Sequence, residues 1–316
     1  MDLASKMVLL GDVSTWITPI WMVLVGAAVV SGILAGLYYL LWLVFPKVTA
    51  IALTTAKEAI SQPLFYVILG IGAFLLVVVF PYLPYNTFGE DIKMVKDNGL
   101  TLIMVLAIIM ALWTASVSVA EEIEGRTALT LLSKPIGRRQ FILGKFLGIL
   151  LPVAIIFIVL GVLFLGSISY KKVYDARESS GTTPTVTECR NEMLQIAPGL
   201  LLAFYETVVL TAISVAISTR LPMLANLIIC SSIYVLGHLV PMLVNSSVGK
   251  FPIVRFMGQL IATVLPVLDH FNIQAAVATG KHIPPAYLLW TLGYCVLYST
   301  FALLLALVMF EDRDLA

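Results

Sequence analysis

The chain has 316 residues, 60% of them hydrophobic and 12% charged, with a formal net charge of +1. Its mean hydropathy is +1.02, whereas soluble domains are roughly half apolar. Several apolar runs reach the roughly 20 residues that cross a hydrocarbon layer. A soluble globular protein is therefore excluded. The runs are continuous rather than alternating, which excludes a barrel and leaves an all-α, polytopic transmembrane helical bundle. The near-zero charge gives no sign of nucleic-acid binding, and none is expected.

Residues 1–17 read as an interfacial segment with apolar patches at Met7–Leu10 and Trp16–Ile17. Lys6 is the only early base, and Gly11, Asp12 and Ser14 interrupt before the long run, so a signal peptide is not expected. Pro19–Phe45 is the first span, with Trp21 at one end and Tyr38, Tyr39 and Trp42 at the other, as an aromatic belt requires. Gly32 and Gly36 are either a small-residue contact face or merely tolerated. Lys47–Ser61, with Lys57 and Glu58 on its polar side, reads as an interfacial helix. Pro63 starts a second span that runs to about Tyr82. Glu90–Asn98 reads as a polar loop, and Leu100–Ala120 as the third span.

The segment after it, Glu121–Lys145, is the densest run of charge in the chain. Glu121, Glu122 and Glu124 come first, then Gly125, where a helix can stop or bend, and Arg126. Thr127–Ser133 is long enough for nearly two turns, with Leu129 and Leu132 on one face. Pro135 stops this element and restricts Lys134. Arg138 and Arg139 then stand where basic side chains meet lipid headgroups. Two readings fit: an ordinary loop with a basic flank, or a short surface helix that another protein pushes on.

Phe141–Ser167 is the fourth span, with Pro152 inside it and Gly144 and Gly148 spaced for close helix approach. Tyr170–Pro198 is the longest polar stretch and reads as a loop; Cys189 within it is either free or oxidised with a partner, while Cys230 and Cys295 read as small buried hydrophobes. Leu200–Ile217 is the fifth span. Its Glu206 needs a partner, a proton, or a polar pathway or wet margin. Leu221–Leu243 is the sixth span, carrying Asn226 and His238; a lone intramembrane histidine reads as a helix–helix hydrogen bonder. Phe251–Leu268 is apolar but short and interrupted. Ala286–Phe310 is the seventh span.

No phosphate-binding G-x-x-x-x-G-K-[ST] loop, H-E-x-x-H or G-x-S-x-G motif occurs in the chain. No catalytic, cofactor or metal site is therefore expected, and any ATP would be held by another subunit.

EEIEGRTALTLLSKPIGRRQFILGKFLG, residues 121–148, resembles the segment between the second and third core spans of type-2 ATP-binding-cassette permeases. The matching positions are Glu121, Glu124, Gly125, Leu131, Leu132, Pro135, Arg138, Arg139, Gly144 and Lys145. The likeness extends in outline from about Lys47 to the C-terminus. It implies a six-span exporter-type permease core preceded by one extra N-terminal span. The division is then 1–46, an N-terminal segment with that span, and 47–316, the permease domain. The latter has an elbow helix at 47–61, a cytoplasmic coupling segment at 121–140, an outer loop at 169–198 and a re-entrant hairpin at 251–270. The resemblance further implies a cytoplasmic ATPase partner, a second permease protomer, identical or related, and a cell-membrane location with a cytoplasmic C-terminus and an extracytoplasmic N-terminus. ATPase-coupling residues would be Glu121, Glu122, Glu124, Gly125, Arg126, Leu129, Leu132, Lys134, Pro135, Arg138 and Arg139, with membrane lipid beside the arginines. Glu206 is the candidate for a transport pathway. A different class stays open: a membrane anchor that docks an ATPase and transports nothing, separable by whether ATP turnover depends on a translocated ligand.

Overall fold

The computed structural model describes residues 14–83, 91–121, 137–178, 184–245, 265–281 and 283–311, with 253, 256 and 258. Its helices are α1 (Ile20–Val44), α2 (Pro46–Ser61), α3 (Pro63–Phe74), α4 (Asp91–Ala115), α5 (Arg138–Glu178), α6 (Val186–Ser218), α7 (Met223–Asn245), α8 (Gln274–Ala278) and α9 (Pro285–Glu311). Among the described residues there is no strand, as the apolar runs require. Five helices are long and apolar enough to cross a membrane: Ser14–Val44, Asp91–Val119, Arg138–Glu178, Val186–Ser218 and Pro285–Phe310. The two further spans expected from the sequence coincide with α3, bent 63° from α2, and α7, whose apolar stretch Met223–Leu239 is shorter. Most of the stretch expected as a re-entrant hairpin, 251–270, lies outside the described residues.

Prolines set the punctuation. Pro46 and Pro63 each stand at a first helical position, where a missing N–H costs nothing. α3 and α4 both end in a π-helical turn, Leu75–Val79 and Ser116–Glu121. In the first, Phe80 N–H donates to Leu75 C=O, and the neighbouring Leu76 carbonyl accepts a hydrogen bond from buried Ser167 on α5.

α4, α5 and α6 form the centre, with α2 and α9 packed on α5 and α6. Gly144 and Gly148 permit the α2 contact. A Cβ at Gly148 would lie 2.7 Å from the Ala52 carbonyl oxygen, and one at Gly144 would lie 2.7 Å from Ile51 Cβ. The expectation of close approach holds at these two positions. At Gly32 and Gly36, of the two readings left open, tolerance is the one that fits within the chain: among the described residues a Cβ there would meet nothing within 4 Å. α1 is peripheral, burying only Val23 among its residues, yet it and the turn that precedes it are each tied to α5. Tyr38 donates to the Leu147 carbonyl, and Ser169 donates to the Trp16 carbonyl. The two anchors are 22 residues apart on both helices, so α1 runs antiparallel to α5 in register over about 33 Å.

Two stretches read as loops are helical. α4 begins at Asp91, inside the expected Glu90–Asn98 loop. The expected outer loop, Tyr170–Pro198, is instead the end of α5, which runs to Glu178, and the start of α6, which begins at Val186. At 41 residues α5 is about 60 Å long, twice the roughly 30 Å hydrocarbon layer, so its polar end stands outside the membrane. Local chemistry sustains these polar turns. Lys171 pairs with Asp175 one turn on, at 2.9 Å, and Thr185 and Glu188 form a reciprocal capping box at the start of α6. Cys189 is buried on this helix, and all three cysteines are free thiols.

The end of the bundle away from residues 121 and 138 is held by charge. Lys96 is bonded to Glu192, which also takes Lys172 at 3.0 Å. Lys171 reaches Asp91 at 3.6 Å. The tyrosines Tyr82, Tyr170 and Tyr174 cluster beside them, with Trp16 edge-on to Tyr170.

Candidate functional site: the frame of the segment between α4 and α5

Of the residues singled out in the sequence, Glu122, Glu124, Gly125, Arg126, Leu129, Leu132, Lys134 and Pro135 lie outside the described residues, and of Glu121 only the backbone, closing the π-helical turn, is described. Arg138 and Arg139 are the first residues of α5 and are exposed. The structure therefore defines how the two ends of the segment are held.

At the entry, the π-helical turn begins at Ser116, whose hydroxyl donates to the Leu112 carbonyl and accepts from Asn226 Nδ2 at 2.8 Å. The same amide donates to Ser214 on α6 at 2.9 Å, and Asn226 Oδ1 accepts from the Cys230 thiol at 3.2 Å. All four side chains belong to fully buried residues. One amide on α7 thus joins α4, α6 and α7 just where the chain turns out of the bundle. In an apolar surrounding each polar group needs such a partner. Asn226→Leu is expected to cost about 3 kcal/mol, the sum of three buried hydrogen bonds at about 1 kcal/mol each. The readout is the thermal-unfolding midpoint of the full-length protein in detergent, and an unchanged midpoint would show that the amide holds nothing.

At the exit, Gly137 N–H donates to Gln140 Oε1 at 3.2 Å, closing the first turn of α5. The Arg138 guanidinium lies over the Phe310 ring of α9, 5.8 Å from its centre, and Phe310 stacks on Phe141 at 5.7 Å. Lys145 is buried with its ammonium 5.7 Å from the Phe141 ring centre. One turn further on, Gly144 and Gly148 seat α2. The chain re-enters the bundle at a point where α2, α5 and α9 meet.

A second polar feature lies in the other half of the bundle. Glu206 on α6 is 1% exposed, and its Oε1 has no hydrogen-bond partner. That oxygen lies 3.5 Å from Nε2 of His238 on α7. His238 Nδ1 is 3.1 Å from the Tyr234 carbonyl, one turn earlier on the same helix. The pair lines a cavity of about 80 Å³ whose other polar walls are Thr101, Tyr234, Asn272 and Gln274. The sequence marked Glu206 as needing a partner and His238 as a lone hydrogen bonder. Their pairing, like the Asn226 network, is a contact between separate helices and leaves no periodic signal.

These features define a multi-pass helical membrane protein whose densest run of charge falls between α4 and α5. The family model for the ABC-2 family transporter protein matches residues 47–315, and the chain belongs to that family as a permease component. The match begins at α2, so α1 stands before it. No curated protein matches the chain.

Proposed function

We propose that this chain is the membrane subunit of an exporter driven by a separate cytoplasmic ATPase. Residues 121–140 are its docking element, with Glu121, Glu122 and Glu124 meeting basic side chains of the ATPase and Arg138 and Arg139 meeting lipid or acidic groups. The observation that carries this reading is the family match across residues 47–315, joined to the absence of any nucleotide-binding loop in the sequence. The frame around the segment supports it. A push at 121–140 meets a turn pinned by Asn226 on one side and the α2–α5–α9 junction on the other, so force reaches α4 and α5 instead of dissipating in a slack loop. ATP closure of the ATPase would favour one arrangement of these helices over another through differential affinity. One docking segment per chain implies a second permease protomer, identical or related. The coupling segment and C-terminus are then cytoplasmic, the N-terminus extracytoplasmic, and the location the cell membrane.

Replacing Glu124 by Ala, or Gly125 by Val, tests this directly. Loss of a buried interfacial charge costs about 2–5 kcal/mol, so co-purification with the ATPase, and ATP turnover in the complex, are expected to fall at least ten-fold while the bundle stays folded. Wild-type values for both measurements would remove the docking role.

A further inference from the structure

The polar atoms of Glu206 and His238 do not balance as drawn by the heavy atoms alone. A backbone carbonyl can only accept, so the contact between His238 Nδ1 and the Tyr234 carbonyl places a proton on Nδ1. In a neutral ring with that tautomer, Nε2 is a bare lone pair. It faces Glu206 Oε1, an unpartnered carboxylate oxygen, across 3.5 Å in the interior of the bundle. Two acceptors facing each other without a proton repel. One proton, on Nε2 or on the carboxyl oxygen, turns the repulsion into attraction.

We propose that Glu206 and His238 form a buried one-proton site, supplied with water from the cavity beneath residues 271–274. The cavity, about 80 Å³, is polar on several sides and roomy enough for water. Among the described residues that line the cavity, no other side chain is charged. α4 contributes Leu100, Thr101 and Met104 to the walls, none of which titrates near neutrality, and the 271–274 segment contributes Phe271, Asn272, Ile273 and Gln274. α7 adds the Tyr234 ring, tilted 55° against that of His238 with centres 4.8 Å apart, and of the α6 residues lining the cavity Glu206 alone is titratable. Release of the proton breaks the Nε2–H or carboxyl O–H bond and forms an O–H bond on a cavity water; uptake reverses this. No other reactant is needed. The site fastens α6 to α7 when loaded, and its loss leaves two lone pairs pushing those helices apart. This proposal does not depend on the ATPase partner.

The test uses the full-length protein in lipid nanodiscs with nitrogen-15 labelled histidine, His238 being assigned by its absence from a His238→Asn sample. At pH 7, Nδ1 is expected to carry a proton. Either Nε2 carries one as well, or an infrared carbonyl band of a protonated carboxyl appears that is missing from Glu206→Gln. In that variant the ring is expected to be singly protonated at Nδ1, since the amide then donates to Nε2. A neutral ring protonated at Nε2 would overturn the proposal, because Nε2–H would simply donate to an ionised Glu206. So would a bare Nε2 without any carboxyl band, which would mean a bridging water or metal cation. Should Glu206→Gln fail to fold, Glu206→Asp, in which the carboxyl band shifts instead of vanishing, makes the same assignment.

Discussion

Gly148→Leu is expected to disrupt the junction on which α5 re-enters the bundle. A Cβ there meets the Ala52 carbonyl oxygen at 2.7 Å and Thr55 Cβ at 2.7 Å. The first is backbone of a packed helix and has no rotamer to escape into, so α2 must move bodily. Overpacking of this kind costs about 1–3 kcal/mol, and leucine, which adds three carbons beyond Cβ, belongs at or above the top of that range. Ala52, Thr55 and Ala56 are all buried in the same face of α2, so displacement opens the whole contact. Gly32→Leu is the matched control, because nothing lies within 4 Å of its Cβ. The measurement is the unfolding midpoint of each variant in detergent, with ATP turnover of the assembled complex beside it. Gly148→Leu should lower both, and Gly32→Leu should lower neither. Equal behaviour of the two would refute the close α2–α5 seat.

Glu192→Leu should be the most costly single change at the other end of the bundle. The Lys96 side chain is 3% exposed and bonded to Glu192, with Gln195 Oε1 as its other acceptor at 3.2 Å. Removing the carboxylate strands a buried ammonium, an effect of about 3–5 kcal/mol. The reverse change is milder. Lys96→Met leaves Glu192, itself 19% exposed, still paired with Lys172 at 3.0 Å. Changing both residues together should come close to neutral, because a buried ion pair replaced by apolar groups often loses nothing. A double-mutant cycle on the unfolding midpoint reads the asymmetry, and equal costs for the two single changes would contradict it.

Hydropathy marks where the hydrocarbon begins, and taking helix ends from it assumes that the two coincide. That equation failed at Asp91 and at Tyr170, because a helix continues past the membrane when its polar side chains find partners. Lys96 finds Glu192, which stands 96 positions later, and no local pattern announces such a partner. Thr185-x-x-Glu188 is a capping box that the sequence does display, and weighing it above polarity would have placed the start of α6. The two glycine pairs make a related point. Gly32/Gly36 and Gly144/Gly148 share a spacing, but only the second faces a helix with small residues to receive it, Ala52 and Thr55 among them. Spacing states that approach is permitted; the neighbour decides whether it occurs. At the candidate site, the charged run was visible as a run of residue types, whereas the Asn226 amide and the Glu206–His238 pair became visible only when α4, α6 and α7 were set side by side.

The peripheral helix α1 is fastened to α5 by hydrogen bonds at Leu147 and Ser169, with 22 residues between the fastenings on each strand of the pair. The two clasps are separated by about 33 Å, close to the thickness of the apolar slab, so one sits near each margin of the hydrocarbon. The peripheral helix is thereby braced at both ends against the longest one, the same helix that begins at Arg138.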